Sequence, residues 1–157
     1  MNDLKLDAAR KTIEKISKIG LVACAKSKRR EALPAEELYS SELFKRAIMY
    51  SRRNYDRWYI LSAKYGLVKP NTVLRPYDET LNARSQEARR LWADMTIKQL
   101  ASTLPKPKEC SIFFHAGATY REFLFEKLAE AGYHCEVPLE GLGIGRQLAW
   151  YEAHKTE

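Results

Sequence analysis

The sequence predicts an α/β fold: a single three-layer domain, residues 1–157, with a mostly parallel central sheet of about four strands flanked by helices. Short apolar runs at 19–25, 57–62, 110–115 and 133–138 alternate with helical stretches of ten or more residues, which is the pattern of strand–helix–strand units. The first run is apolar and β-branched at its centre, as a strand buried on both faces must be. A chain of 157 residues can bury one core, and no repeat, low-complexity tract or linker divides it.

Each element has its own warrant. Leu4, Ala8, Ile13 and Ile16 recur at helical spacing among Lys and Glu, so residues 1–18 read as an amphipathic helix packed on the domain, stopped by Gly20. The strand at 19–25 empties into Lys26-Ser27-Lys28-Arg29-Arg30. Pro34 opens a turn or short helix. Ser40 or Ser41 is a fitting N-cap for a helix through about Arg53, with Leu43, Ala47 and Tyr50 on one face. After the strand at 57–62, the turn residues Gly66, Pro70 and Pro76 make 64–82 a long, ordered loop, the kind that usually serves function. Ser85 caps a helix that carries Glu87 in its first turn and ends before Pro105. Beyond the strand at 110–115, Gly117 opens a helix over 118–131 that Gly132 closes. A short strand at 133–138 and the glycines 141, 143 and 145 lead to a last helix ending near His154. Trp58, Trp92 and Trp150 read as core.

Composition narrows the function classes. No stretch approaches the roughly 20 apolar residues of a membrane span, and the N-terminus lacks the apolar run and cleavage site of a signal peptide. Cys24, Cys110 and Cys135 are odd in number and form no CxxC pair, so disulfide scaffolds and standard zinc modules are not expected. His134 and His154 make no metal constellation with any neighbour. A cytoplasmic protein without metal or cofactor is the expectation. The formal charge is +7, and it is unevenly placed: residues 1–70 hold 16 basic and 8 acidic residues, residues 71–157 hold 11 and 12. A lopsided positive field attracts polyanions, with nucleic acid the commonest partner.

Unusual residues gather just past the predicted strand ends, where open parallel sheets bind their ligands. Lys26, Ser27 and Lys28, with Arg29, Arg30 and the distant Ser41, can hold phosphate through side-chain charge and loop N–H groups. Lys64, Tyr65, Tyr77 and Asp78 share one loop; a tyrosine there can stack a base, and a carboxylate can steady an oxocarbenium-like transition state and orient water. Asp78 equally reads as a turn cap after Pro76, with Tyr77 packed inside. His115, at a strand end before Gly117 and Tyr120, stands where a catalytic or base-contacting group is common, although a lone histidine is more often structural. Gly141-Leu142-Gly143-Ile144-Gly145-Arg146 has the wrong spacing for a dinucleotide fingerprint, but Arg146 can clamp a phosphate.

Taken together, Ala25-Lys26-Ser27, the run Lys64-Tyr65-Gly66-Leu67-Val68-Lys69-Pro70 and the pair Pro76-Tyr77 resemble a family of short bacterial and phage domains. That family is in turn distantly similar to the YaaA peroxide-stress proteins. The chain departs from the YaaA pattern in being shorter and in carrying Cys24 where that pattern has serine. More remotely, such domains resemble the uracil-DNA-glycosylase-like fold and domains beside deazapurine tRNA-modifying enzymes. The resemblance implies an α/β domain that binds DNA and is linked to DNA damage or phage defence.

The leading expectation is a base-excision enzyme, a DNA glycosylase that removes a damaged or modified nucleobase. Asp78 is its carboxylate, His115 the second choice, and Lys64 an electrophile stabiliser or Schiff-base amine. Lys26, Lys28, Arg29, Arg30 and Arg146 hold phosphates, and Tyr65 or Tyr77 stacks the extruded base. One rival is a DNA-binding protein of the damage response with no chemistry, which needs the basic loop but no carboxylate. Another is a nucleosidase or transferase acting on free nucleotides, for which long DNA would bind with shallow salt dependence.

Overall fold

A computed structural model describes residues 16–156. Its centre is β1 (Ser17–Ala23), which is hydrogen-bonded in parallel to β3 (Arg57–Ser62) on one side and to β6 (Cys110–His115) on the other. The outer strands are β7 (His134–Glu136), parallel to β6, and β4 (Gly66–Val68), antiparallel to β3, giving the order β4-β3-β1-β6-β7. Ile19, Leu21 and Val22 of β1 are fully or almost fully buried, as an interior strand covered by helices on both faces requires. A separate two-stranded ribbon joins β2 (Leu33–Pro34) to β5 (Val73–Leu74).

The helices are α1 (Ala35–Leu38), α2 (Glu42–Asn54), α3 (Gln86–Thr103), α4 (Ala118–Arg121), α5 (Leu124–Glu130) and α6 (Ile144–Ala153). Right-handed crossovers send α2 over one face of the sheet and α3 and α5 over the other. In keeping with this, α2 packs on α6 and α3 on α5. The architecture is therefore the mixed α/β, mostly parallel sheet flanked by helices that the sequence predicts. The two long helices begin as expected: Ser41 Oγ accepts from Phe44 N at 3.3 Å and Ser85 Oγ from Ala88 N at 3.1 Å.

Four expectations need correction or bounding. Most of the predicted N-terminal helix lies outside the described residues. Ser17 and Lys18, assigned to its end, instead belong to β1, because their backbone pairs with Cys110 and Ser111 of β6. The sheet has five strands, since the predicted loop 64–82 supplies β4 to it; the loop also holds β5 of the separate ribbon and leads into a 3-10 turn at Leu81–Ala83. The predicted helix at 118–131 is broken at Glu122 and Phe123 into α4, which borders the site below, and α5, which buries Leu124 and Leu128.

β4 exists because the chain reverses tightly after β3. Gly66 sits at φ +71°, and a side chain there would collide with Gln99 Oε1. Gln99 staples the hairpin to α3, accepting from Leu67 N at 2.7 Å and donating to Tyr65 O at 3.0 Å. Only glycine satisfies both the left-handed backbone and the close approach. Gly66→Ala is expected to destabilise the fold by about 2 kcal/mol or more, read as a lowered midpoint in urea unfolding.

Candidate functional site

The chain leaving β1 turns towards β3, whereas the chain leaving β6 continues away towards β7. In a parallel sheet such a reversal opens a crevice above the two strand ends, and ligands bind there. This chain has one of about 340 Å³. Its lining includes Cys24, Ser41, Asn82, Thr119, Tyr120 and Gln147, together with His115 at the end of β6.

The register places the strand ends level. Ala23 pairs with Leu61 and Val22 with His115, and Cys24 N continues the ladder by donating to Leu61 O at 2.9 Å. Cys24, Ser62 and His115 therefore share one rim. Past β1 the basic loop folds back on α1: Arg29 N donates to Leu38 O and Ser40 N to Ser27 O, with Lys28 bridged to Tyr39. Backbone pairing thus holds a segment whose side chains repel one another.

A hydroxyl network lies on the β3 side. Ser62 Oγ accepts from Lys64 N at 3.3 Å and Tyr65 N at 3.1 Å. Both lone pairs are then occupied, so its proton points to Tyr77 Oη, 2.7 Å away. Tyr77 in turn donates to Tyr39. Burial raises the pKa of both phenols above the ordinary tyrosine value, so they stay neutral hydroxyls. The Lys28 ammonium stands 4.3 Å from the centre of the Tyr77 ring. Partial burial lowers its pKa, while Cys24, Asp78 and Glu79 pull in the opposite direction.

A second network lies on the β6 side. His115 is buried, and both ring nitrogens are occupied, Nε2 by Tyr55 Oη at 2.5 Å and Nδ1 by Tyr151 Oη at 2.6 Å. The Tyr55 ring reaches it by lying against Gly20 of β1, where a side chain would collide with it. Burial pushes the imidazole down to about 4, so His115 is neutral near pH 7. Between the networks, Cys24 Sγ and Tyr120 Oη lie 3.1 Å apart.

The predicted site residues divide into four groups, with His115 among those that line the crevice. Lys28, Lys64, Tyr65, Tyr77 and Asp78 gather beyond β3, where Lys64 pairs with Glu79 at 3.9 Å. Of the two tyrosines offered for stacking, Tyr77 is buried with its hydroxyl engaged, whereas Tyr65 is 37% exposed. Asp78 is exposed, makes no hydrogen bond or ion pair among the described residues, and is not part of the crevice lining. Ser41 and Tyr120 do line the crevice, Ser41 also as the cap of α2. Lys26, Ser27, Arg29 and Arg30 are exposed on the loop that follows Cys24 and Ala25, and none of them lines the crevice. Arg146 is exposed in the first turn of α6, near the lining residues Ile144 and Gln147.

Tyr39 and Thr119 stand within motifs of the sequence, Tyr39-Ser40-Ser41 and His115 to Tyr120, without a role assigned to them, whereas Asn82 and Gln147 belong to none. Tyr39 precedes the Ser40-Ser41 pair that was noted, so its motif held a signal. Asn82 and Gln147 are far apart in the chain, and only the topology brings them to one crevice. Among the described residues no group of three or more His, Cys, Asp or Glu is placed to hold a metal ion.

The neutral His115 makes stability depend on pH. Its folded pKa of about 4 lies below the ordinary 6.5, so between these values the unfolded chain binds the extra proton and folding opposes it. The contribution is complete above pH 6.5 and is lost as pH falls towards 4. The whole loss amounts to about 3 kcal/mol. Urea midpoints measured from pH 8 to pH 4 are expected to fall in that window, and to fall less steeply in His115→Gln.

No curated protein and no solved structure matches the chain. A family match spans residues 19–153, from β1 through the last helix and so across every element of the crevice, and the chain therefore belongs to DUF6884, a family of unknown function.

Proposed function

We propose that this protein binds DNA, takes an extruded nucleobase into the crevice between β1 and β6, and hydrolyses its N-glycosidic bond. The supporting observation is a division of charge. The crevice has no Asp, Glu, Lys or Arg in its lining, while the basic loop that carries Lys26, Lys28, Arg29 and Arg30 begins directly after Cys24 and Ala25, which line it. A nucleotide carries the same division, with a flat uncharged base and a charged backbone. Its base must leave the helix before an enzyme can reach the glycosidic bond.

In this reading the loop cations and Arg146 hold phosphates while Tyr65 supports the base or its neighbour at the mouth. Asp78, close enough to Lys28 to influence its ionisation, supplies the carboxylate. Water adds to the sugar carbon as the bond to the base breaks; the bonding pair leaves with the base nitrogen, and the water's proton passes to the carboxylate or the base. A carboxylate facing an oxocarbenium-like transition state gives the electrostatic part of the rate. The similarity to YaaA proteins points to the same partner. A second reading is a DNA-binding protein without chemistry; in its favour, no carboxylate lines the crevice, and Asp78 lies outside its lining.

Base release separates the two. DNA carrying a panel of damaged and modified bases is incubated with the protein, and abasic sites are read by alkaline strand cleavage. Hydrolysis predicts abasic sites with wild type and a loss of at least about 100-fold in Asp78→Asn. Tight binding with no base loss supports the second reading, in which Asp78→Asn leaves affinity unchanged or tighter. In either case, replacing Lys26, Arg29 and Arg30 by Gln is expected to weaken binding evenly across sequences. The slope of log affinity against log salt should flatten by about 1 for each phosphate that the variant no longer neutralises.

A further inference from the structure

Resting on the reading above, we infer that the crevice is selective for neutral nucleobases and excludes those that carry a fixed positive charge, such as ring-alkylated purines. Nothing in its lining can compensate a cation: Asp and Glu are absent from it, Glu79 pairs with Lys64, and Asp78 stands outside, where it acts on Lys28. The one imidazole in the wall, His115, is held by two tyrosine hydroxyls and is neutral near pH 7. An unpaired charge moved from water into such surroundings loses its hydration without return. An open aromatic cage, the other device that holds cations, is not built here. Phe44 packs against Tyr39 at 4.9 Å between ring centres, and Tyr120 packs on Trp92 at 5.6 Å.

What the lining does offer is neutral hydrogen-bonding capacity of both kinds. Gln147 spends one N–H on Leu142 O at 2.8 Å, which fixes the amide and leaves its oxygen and second N–H. Ser41 Oγ accepts from Phe44 N and keeps its proton to donate. The Asn82 side chain makes no hydrogen bond among the described residues. Amides match the mixed donor and acceptor edge of a neutral base. The first turn of α6, which supplies Ile144 and Gln147, places the positive end of a helix dipole at the same wall. That field disfavours a cation inside and suits a phosphate held at the rim near Arg146.

Two isomers of equal size isolate the charge. N6-methyladenosine is neutral at pH 7.5, whereas 1-methyladenosine is a cation. Titrating each free nucleoside into the full-length, isotope-labelled protein and following amide shifts is expected to give binding by the neutral isomer at Cys24, Asn82 and Gln147. The cationic isomer should bind at least tenfold more weakly. Gln147→Glu, which adds a carboxylate to the lining, should narrow that gap or reverse it. Asn82→Asp, on the exposed 3-10 turn, provides the same test should the α6 variant fold poorly. Equal or tighter binding of 1-methyladenosine by wild type overturns the inference, as does the absence of crevice shifts with either isomer. Because the nucleosides are free, the outcome is separate from base excision. Selective nucleoside binding without base release from DNA retains this inference and overturns the hydrolase, whereas release of cationic bases alone does the reverse.

Discussion

Everything at the site depends on the register of β1. Among the described residues it alone is paired along its length to parallel neighbours on both sides that are themselves joined by crossovers over opposite faces. Fixing Ala23 opposite Leu61 and Val22 opposite His115 sets three chain exits at one height. A slip of one residue would invert each side chain across the sheet. Cys24 would then leave the crevice, and Ile19 and Leu21 would both move to the face that Gly20 and Val22 occupy. The buried apolar residues of β1 therefore specify the site as well as the core, and residues far from any ligand set its geometry.

Above that rim the molecule uses tyrosine hydroxyls where charged side chains would be costly to bury. Tyr39 and Tyr77 with Ser62 form one network, and Tyr55 and Tyr151 with His115 form the other. A buried hydroxyl without a partner destabilises a fold by one to several kcal/mol, and in both networks each hydroxyl has a partner. The networks are accordingly rigid and neutral. Charge is expelled to the loops at 26–30 and 75–79, where side chains are at least partly solvated. The contrast between an uncharged interior and a charged mouth follows from burial energetics before any ligand is considered.

Much of the fold was legible because its signals are local. Ser41 and Ser85 announce their helices, Pro105 ends one, and the runs at 57–62 and 110–115 match β3 and β6 residue for residue. The short strands β4 and β5 were not legible as strands, since two or three residues carry no periodicity and their pairing depends on distant partners such as Gln99 and Leu33. The site was half legible. The motif at 64–78 lies past the carboxyl end of β3, but spacing cannot tell a stacking tyrosine from a buried one. Tyr77 became a structural hydroxyl because Ser62 and Tyr39 surround it. His115 illustrates the same limit: its position after a strand suggested chemistry, and only the approach of Tyr55 and Tyr151 reveals that neither nitrogen is available. Asn82 and Gln147 were invisible, because their meeting is a property of topology.

Lys28 connects the two regimes. It is the one cation of the basic loop drawn partly out of water, lying against Tyr77 and within reach of Cys24, Asp78 and Glu79. Its charge attracts the acidic turn at Asp78 and Glu79, and neither carboxylate lines the crevice. On the proposed reading this arrangement suits a substrate whose parts differ in charge. The base passes beyond Lys28 into neutral surroundings, the phosphates stay outside with Lys26, Arg29 and Arg30, and the sugar between them comes to rest at the level of Asp78. A carboxylate within the crevice would raise its own pKa through burial and would bind cationic bases in preference to neutral ones. On that reading Asp78, near Lys28, is the carboxylate that would meet a developing positive charge on the sugar.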